Sequence, residues 1–140
     1  MGRSRGGLTT KIHALVDRMG LPISLKLTPG QAHDGQSAID MLGALRKGQT
    51  LLADAAYDSN ALREDLHRRG VKGEIKPMPG RLIVLSLNKR LYKRRNAVER
   101  FFNKMKHFRA IATRYEKHAE NFLALVKLAA ARIWMRFMSR

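Results

Sequence analysis

Short alternating runs of apolar and polar residues predict a β-hairpin near the start of the chain. Segments 9–16 and 23–27 carry β-branched or alternating apolar residues, and the turn sequence RMGLP at 18–22 separates them. The glycine- and arginine-rich segment 1–7 has no such pattern and predicts a loose N-terminal stretch. The first ordered strand is therefore expected to begin near Thr9.

The middle of the chain predicts helices that alternate with strands. Asp34 fits the N-cap of a helix that continues to Leu45. The short apolar run QTLLA at 49–53 then predicts a buried strand. Asp54 follows this strand directly, so we expect its carboxylate at the strand's carboxyl end.

The same alternation continues through the next helix. Asp58 or Ser59 can cap a helix at 60–69, and Gly70 can close it. A further strand is predicted at 71–76. This order of elements indicates a mixed α/β domain in which helices cover a sheet.

The last third of the chain predicts two helices. Segment 80–90 fits either a strand or a packed loop, 91–109 predicts a long helix, and 119–138 predicts a C-terminal helix. Lys127 and Arg132 interrupt the apolar surface of 119–138, which favours a packing helix over one that lies in a membrane surface.

The helix at 91–109 is predicted to have two unlike faces. One face holds polar residues within about 60° of one another: Tyr92, Arg95, Glu99 and Lys106. The opposite face holds an apolar stripe: Val98, Phe101, Met105, Phe108 and Ala112. Glu99 is the only acidic residue between Lys89 and Arg114, so the polar face carries a single carboxylate among cations. The plain alternative is a solvated face with an Arg95–Glu99 pair, worth about 0.3 kcal/mol.

The net charge of the chain indicates a polyanionic partner. It has 28 Lys and Arg against 11 Asp and Glu, for a formal net charge of +17. The excess is concentrated in 89–117, where only Glu99 and Glu116 are acidic. Nucleic acid is the expected partner, with an anionic membrane as the rival. The cations of the 91–109 helix that we expect to contact phosphates are Lys93, Arg94, Arg100 and Arg109.

Several kinds of site and segment are excluded or disfavoured. The chain has no cysteine, which excludes disulfides and thiolate metal sites. No apolar stretch approaches the roughly twenty residues of a membrane span, and the start of the chain is polar rather than signal-like. A cytoplasmic location is compatible with this composition, and no membrane partner is expected.

Asp54 and Glu99 are the carboxylates with the clearest chemical potential. Open α/β sheets place sites at the carboxyl ends of strands, where Asp54 is predicted, and Glu99 lies on a helix expected to pack against the same sheet. Two such carboxylates can hold a hard cation such as Mg²⁺, and paired divalent ions stabilise both oxygens of a phosphoryl displacement. A turn or cap role is the plain alternative for Asp54.

Several stretches resemble a family of bacterial transposases. The spacing of the Y-R-E-K signature of DDE transposases in the insertion-sequence four/five superfamily is met at Tyr92, Arg95, Glu99 and Lys106. The stretch LLADAAYDS at 51–59 resembles the second-aspartate motif of that family. GRSRGGLTTKIHALVD at 2–17 and RNAVERFFNKMKHFRAIATRY at 95–115 also resemble family segments, so the likeness covers nearly the whole chain.

The resemblance implies an RNase H-like fold, with a mixed sheet flanked by helices. Asp54 would match the second Asp of the catalytic triad and Glu99 its Glu, both as ligands of Mg²⁺ or Mn²⁺. Tyr92, Arg95 and Lys106 would match residues associated with transposon-end DNA. The implied reaction is hydrolysis at the transposon ends, followed by attack of the freed 3′-hydroxyl on target DNA.

The chain departs from the family pattern at its start. The family's first Asp lies on a strand upstream of the GRSRGG segment, and this sequence begins with Met1 just before that segment. Asp17 lies in a turn and Asp34 fits a cap, so neither matches the first Asp. We therefore expect an N-terminally truncated fold without the third metal ligand, and an inactive isolated chain. Two origins are consistent with such a truncation. The chain is either the second part of a protein made by frameshift fusion or a truncated relic of a transposase.

Two other functions fit the same residues. A non-catalytic DNA-binding fragment, such as a transposition inhibitor, would keep the basic surface and bind duplexes with strong salt dependence. A basic RNA-binding protein is less favoured because aromatic residues make up 6% of the chain and no RNA-binding motif is present. The expected partners are DNA, at transposon ends and target, and either further copies of the chain or an upstream-encoded chain.

Overall fold

The chain divides into two units that each combine helices with a small sheet. A computed structural model describes residues 2–4, 7–83, 85–108 and 119–139. Unit 1 comprises Met1–Gln31 and Asn96–Arg140, and unit 2 comprises Ala32–Arg95. The predicted mixed α/β class is confirmed. Within the described residues, the strands pair into a three-stranded sheet and a two-stranded sheet rather than into the single mixed sheet that was expected.

The strands and helices have the following bounds. The strands are β1 (Gly2–Ser4), β2 (Gly7–Val16), β3 (Pro22–Pro29), β4 (Thr50–Ala53) and β5 (Lys72–Ile75). The helices are α1 (Asp34–Ser37), α2 (Asn60–Arg69), α3 (Lys89–Tyr92), α4 (Asn96–Met105) and α5 (Ala119–Met138). Among the described residues, no helix is both long and apolar enough to cross a membrane.

The sheet of unit 1 is antiparallel, in the order β1-β2-β3. The predicted hairpin is confirmed as β2 and β3, in which His13 lies opposite Lys26. The segment 1–7, expected to be loose, instead contributes β1, with Gly2 opposite Thr9. This pairing gives hydrogen-bond partners to backbone groups at the start of β2, which an unpaired edge would leave to water.

The β2–β3 turn holds α4 at close range. The Asp17 carboxylate accepts hydrogen bonds from the amides of Met19 and Leu21, each at 2.9 Å. Gly20 has φ +82°, and a Cβ there would lie 3.1 Å from the carbonyl oxygen of Ala97. Glycine is therefore required both by the left-handed backbone and by the approach of the helix.

The core of unit 1 is apolar and lies between its hairpin and its two helices. Its buried residues are Leu21, Phe101, Met105, Phe122, Val126, Ala129 and Ile133. The C-terminal packing helix is confirmed as α5, and its Trp134 Nε1 donates to the Pro22 carbonyl at 2.7 Å. This bond satisfies the indole N–H where α5 packs on β3.

The predicted apolar stripe of the 91–109 helix is confirmed in its centre. Phe101 and Met105 are buried, and Val98 and Phe108 are half-buried. Ala112 lies outside the described residues. Because the stripe faces the unit 1 core, α4 turns its polar residues away from that core.

Unit 2 contains a parallel β-α-β arrangement. Strands β4 and β5 pair in parallel, with Ala53 opposite Ile75, and α2 connects them. The Ser59 hydroxyl caps α2 by accepting from the Leu62 amide at 3.0 Å. Gly70 ends the helix in the left-handed conformation with φ +71°. Both predicted helix ends are confirmed, and β4 is half-buried rather than fully buried.

The predicted helix from Asp34 to Leu45 is wrong in its start and its continuity. His33, not Asp34, is the N-cap, because its ring Nδ1 accepts from the Gln36 amide. The α-helix ends at Ser37, and a 3₁₀ helix follows at Ile39–Ala44. Tertiary packing outweighs the sequence pattern here, since a Cβ on Gly35 in α1 would meet the Ser59 hydroxyl at 2.9 Å.

The long helix predicted at 91–109 is also wrong as a single element. Helix α3 is followed by a 3₁₀ turn at Lys93–Arg95 before α4 begins, and Lys106 follows the end of α4. A 3₁₀ turn advances about 120° per residue rather than about 100°. The common face calculated for one regular helix therefore does not apply across the turn.

Segment 80–90 forms no strand among its described residues before α3 begins. The alternative prediction of a packed loop holds only in part. Leu85 and Leu87 are half-buried, but Leu82 is 100% exposed and Ile83 is 73% exposed. Apolar composition alone does not show whether a segment finds a surface to pack against.

Candidate functional site

Asp54 lies at the carboxyl end of β4, as the sequence predicts. Its side chain is half-buried and caps the 3₁₀ turn Ala55–Tyr57, with Oδ1 accepting from the Ala56 amide at 3.0 Å. Asp54 therefore caps this turn and also lies at the strand end where the sequence predicts a site. Oδ2 makes no hydrogen bond within the described part of the chain, which leaves an oxygen that can bind a ligand.

Tyr57 lies near both Asp34 and Asp54, and neither Tyr57 nor Asp34 was recognised from the sequence as a site residue. Burial, together with the negative charges of Asp34 and Asp54, raises the pKa of the Tyr57 phenol well above its usual range. The phenol therefore stays neutral over the whole physiological range and can donate a hydrogen bond. The sequence pattern identified Asp34 only as a helix cap. The approach of Asp34 to Tyr57 depends on how α1 packs, which the sequence does not reveal.

A buried carboxylate anchors the segment that follows β5. The Asp58 side chain is fully buried and binds Arg63 Nε at 2.6 Å and Arg81 Nε at 2.6 Å. Arg81 Nη2 adds a bond of 2.7 Å, and the Met78 amide donates at 2.7 Å. Burial acts to raise the pKa of Asp58, but these hydrogen bonds outweigh it and hold that pKa well below its usual range.

The predicted DNA-binding residues of unit 2 lie on α3 and on the 3₁₀ turn that follows it. Lys93 and Arg94 are exposed, and the Arg95 guanidinium carbon lies 5.6 Å from the centre of the half-buried Tyr92 ring. The turn at Lys93–Arg95 contacts β4, the strand that Asp54 directly follows. Unit 2 therefore combines one predicted catalytic carboxylate with four of the predicted DNA-binding residues.

The remaining site residues belong to unit 1. Glu99 is exposed on α4, and Lys106 is exposed just after that helix. Arg100 donates to Asn96 Oδ1 and to the Arg18 carbonyl, each at 3.2 Å. Part of its guanidinium therefore holds α4 to the β2–β3 turn. Arg109 lies outside the described residues.

The side chains available for a metal are of the right kind but too few. Asp54 and Glu99 supply the hard carboxylate oxygens that Mg²⁺ and Mn²⁺ prefer. Across residues 2–4, 7–83, 85–108 and 119–139, however, no group of three His, Cys, Asp or Glu side chains is placed to hold a metal ion. The described residues thus supply suitable donors without a complete site.

Comparison with known proteins decides the family. The family profile described as the transposase DDE domain matches residues 2–134. The chain belongs to the transposase DDE domain family. A Brucella ovis protein named as a candidate transposase for insertion sequence element IS6501 is 43% identical over 130 residues, which is 92% of this chain and 100% of that protein. No solved structure matches the chain.

Family membership covers both units of this transposase domain. Asp54, Tyr92, Glu99 and Lys106 all fall inside the matched region. The resemblance inferred from the Y-R-E-K spacing and from the LLADAAYDS stretch is therefore confirmed at the level of the family. The roles of the individual site residues stay predictions.

Proposed function

We propose that this chain is the part of an insertion-sequence transposase that carries Asp54 and Glu99, and that its fold is RNase H-like. The observation that most supports this proposal is the position of Asp54 at the carboxyl end of β4. The cationic 3₁₀ turn at Lys93–Arg95 packs on the same strand. Membership of the transposase DDE domain family supports the assignment. The antiparallel hairpin and the parallel β-α-β arrangement support the fold.

Asp54 and Glu99 are the proposed catalytic residues and metal ligands. Both carboxylates suit Mg²⁺ or Mn²⁺, and such ions would supply charge stabilisation for the attacking and leaving oxygens. A further ligand has to come from residues other than those described or from a partner chain, because the described residues do not complete a site. The proposed partner is another copy of the chain or a polypeptide encoded in an upstream frame.

The proposed reaction consists of two displacements at phosphorus. In the first, water attacks a phosphodiester at the transposon end, the P–O3′ bond breaks, and the freed end keeps a 3′-hydroxyl. In the second, that hydroxyl oxygen attacks a target phosphodiester, and the target's 3′-oxygen leaves and takes up a proton. No covalent bond to the protein is formed in either step.

The basic residues are proposed to hold DNA in register. Tyr92, Arg95 and Lys106 are assigned to transposon-end DNA. Phosphate contacts, which position a duplex without reading its sequence, are assigned to Lys93, Arg94, Arg100 and Arg109. Exposure of Lys93, Arg94 and Lys106 supports this role. Arg100 has a structural contact as well, so its contribution to DNA affinity is expected to be smaller.

A strand-transfer assay tests the proposal. The purified chain with Mg²⁺ and a duplex carrying an insertion-sequence end is expected to bind but neither cleave nor join DNA. Glu99→Gln should keep or improve binding, because it removes a negative charge from a basic surface. Strand transfer by the chain alone would refute the proposal that a partner must supply a further metal ligand. Absence of any DNA binding would refute the transposase role.

A transposition inhibitor is the second candidate function. It is favoured by the incomplete set of metal ligands among the described residues. An inhibitor would compete for transposon ends and lower the activity of a complete transposase when added to it. A component of the enzyme would instead raise activity when combined with the chain that supplies the missing ligand.

A further inference from the structure

An apolar loop tip projects into solvent between β5 and α3. Leu82 is completely exposed and Ile83 is 73% exposed. Two neighbouring aliphatic side chains without burial are costly to keep in water, because covering them removes apolar surface from the solvent. The tip therefore indicates a surface that something covers during function.

The loop that carries this tip is fixed at both ends. Arg81, immediately before the tip, binds both Asp58 oxygens and also donates to Asn60 Oδ1 at 2.9 Å. On the far side, the Asn88 amide donates to Glu74 Oε2 at 2.9 Å, and Glu74 is 6% exposed. These bonds fix the residues on either side of the tip, which lowers the entropic cost of placing it against a partner.

The sequence that follows the tip is strongly cationic. The residues that follow it in unit 2 include the exposed Lys89, Arg90, Lys93 and Arg94. No acidic residue occurs between Glu74 and Glu99, and the Glu74 carboxylate is already bonded to Asn88 and Lys72. A partner that contacts both the cations and the apolar tip must combine negative charge with an apolar surface into which Leu82 and Ile83 can insert.

We propose that Leu82 and Ile83 form a wedge that inserts between stacked base pairs of duplex DNA while Lys89, Arg90, Lys93 and Arg94 contact the flanking phosphates. Aliphatic side chains inserted at a base step unstack it and kink the duplex. This inference rests on the proposed function as a DNA-binding transposase. An anionic membrane combines the same two properties, but membership of a transposase family favours DNA.

The test compares affinity with base unstacking in the full chain. A short duplex carries 2-aminopurine, whose fluorescence rises when its neighbours unstack, and affinity is measured over a series of salt concentrations. The wild-type chain should raise the fluorescence on binding. Leu82→Ser with Ile83→Ser should abolish the rise, weaken binding by about tenfold or less, and leave the salt dependence unchanged.

Two control variants separate the wedge from general binding. Met19→Ser removes another exposed apolar side chain, in unit 1, and should keep the fluorescence rise. Lys93→Ala with Arg94→Ala should lower both affinity and salt dependence. Because Leu82 and Ile83 are exposed, their replacement should not alter the circular dichroism spectrum.

The outcomes distinguish the wedge from the proposed function. Normal binding by the Leu82/Ile83 variant with an undiminished fluorescence rise would overturn the wedge and leave the DNA-binding function standing. Failure of the wild-type chain to bind any duplex would overturn both. Binding to phosphatidylserine vesicles that depends on Leu82 and Ile83, without base unstacking in DNA, would overturn the wedge in favour of a membrane contact.

Discussion

The two predicted catalytic carboxylates are held in place by different kinds of interaction. Asp54 follows a short strand in unit 2, where an amide bond from Ala56 and the nearby network around Asp58 are polar. Glu99 lies on α4 in unit 1, whose opposite face buries Phe101 and Met105 in an apolar core. Loss of packing should therefore affect the Glu99 region most, and loss of charge pairing the Asp54 region.

The largest effect is expected from Phe101→Ala. Phe101 is fully buried, so its truncation should lower the free energy of unfolding by about 3–5 kcal/mol through lost burial and a cavity. Trp134 is the single tryptophan and belongs to unit 1, which makes its fluorescence in urea a reporter of that unit. Phe102→Ala, at a half-buried neighbouring position, is the matched control and should cost clearly less. Equal losses would contradict the assigned core.

Asp58→Asn should weaken the polar network of unit 2. Removing this charge leaves Arg63 and Arg81 without their carboxylate partner, and the expected cost is about 3 kcal/mol. Hydrogen exchange measured by mass spectrometry should show lost protection in the peptide that contains the Met78 amide, which donates to Asp58. Glu64→Gln, on the exposed face of α2, is the control and should leave exchange unchanged.

The pH dependence of stability provides a second readout of Asp58→Asn. Hydrogen bonds hold the pKa of Asp58 below its unfolded value against the opposing effect of burial. Its contribution to stability is therefore complete above about pH 5 and is lost as the pH falls through the unfolded value towards the folded one. Asp65, whose pKa is lowered by Arg69 and Arg68, behaves in the same direction. The variant should show a weaker acid dependence, and an unchanged slope would contradict the network.

The smallest expected losses of stability come from replacing two glycines, Gly20 and Gly80, by alanine. Gly20 and Gly80 both have positive φ, at +82° and +86°, but only Gly20 approaches another element, at Ala97. Gly80→Ala should cost about 1 kcal/mol for backbone strain alone, and Gly20→Ala about 1–2 kcal/mol because contact is added. Urea unfolding measures both. An equal cost would show that the β2–β3 turn and α4 accommodate the added methyl group.

Local rules account for the parts of the fold that the sequence predicts well. Ser59 and Gly70 bound α2 through hydrogen bonds to residues within a few positions, and the burial of Phe101 and Met105 follows from helical periodicity. The site position of Asp54 follows from one short apolar strand. These features depend on neighbours within a few positions, which a sequence displays directly.

Long-range contacts explain what the sequence does not reveal. Asp58 pairs with Arg81, 23 positions away, and a cap pattern gives no indication of that partner. The docking of Gly35 against Ser59 interrupts a helix that periodicity predicts to continue. The 3₁₀ turn at Lys93–Arg95 packs on β4, so a helical wheel over 91–109 could not locate the break.

The proposed role of Asp54 and Glu99 as metal ligands is tested most directly by Mn²⁺ binding, followed by electron paramagnetic resonance. Asp54→Asn, Glu99→Gln and the double variant are titrated with Mn²⁺ alone and compared with the unaltered chain. If both carboxylates are ligands, each single variant should weaken Mn²⁺ binding by about tenfold or more. An affinity that neither substitution changes would contradict the proposed ligands.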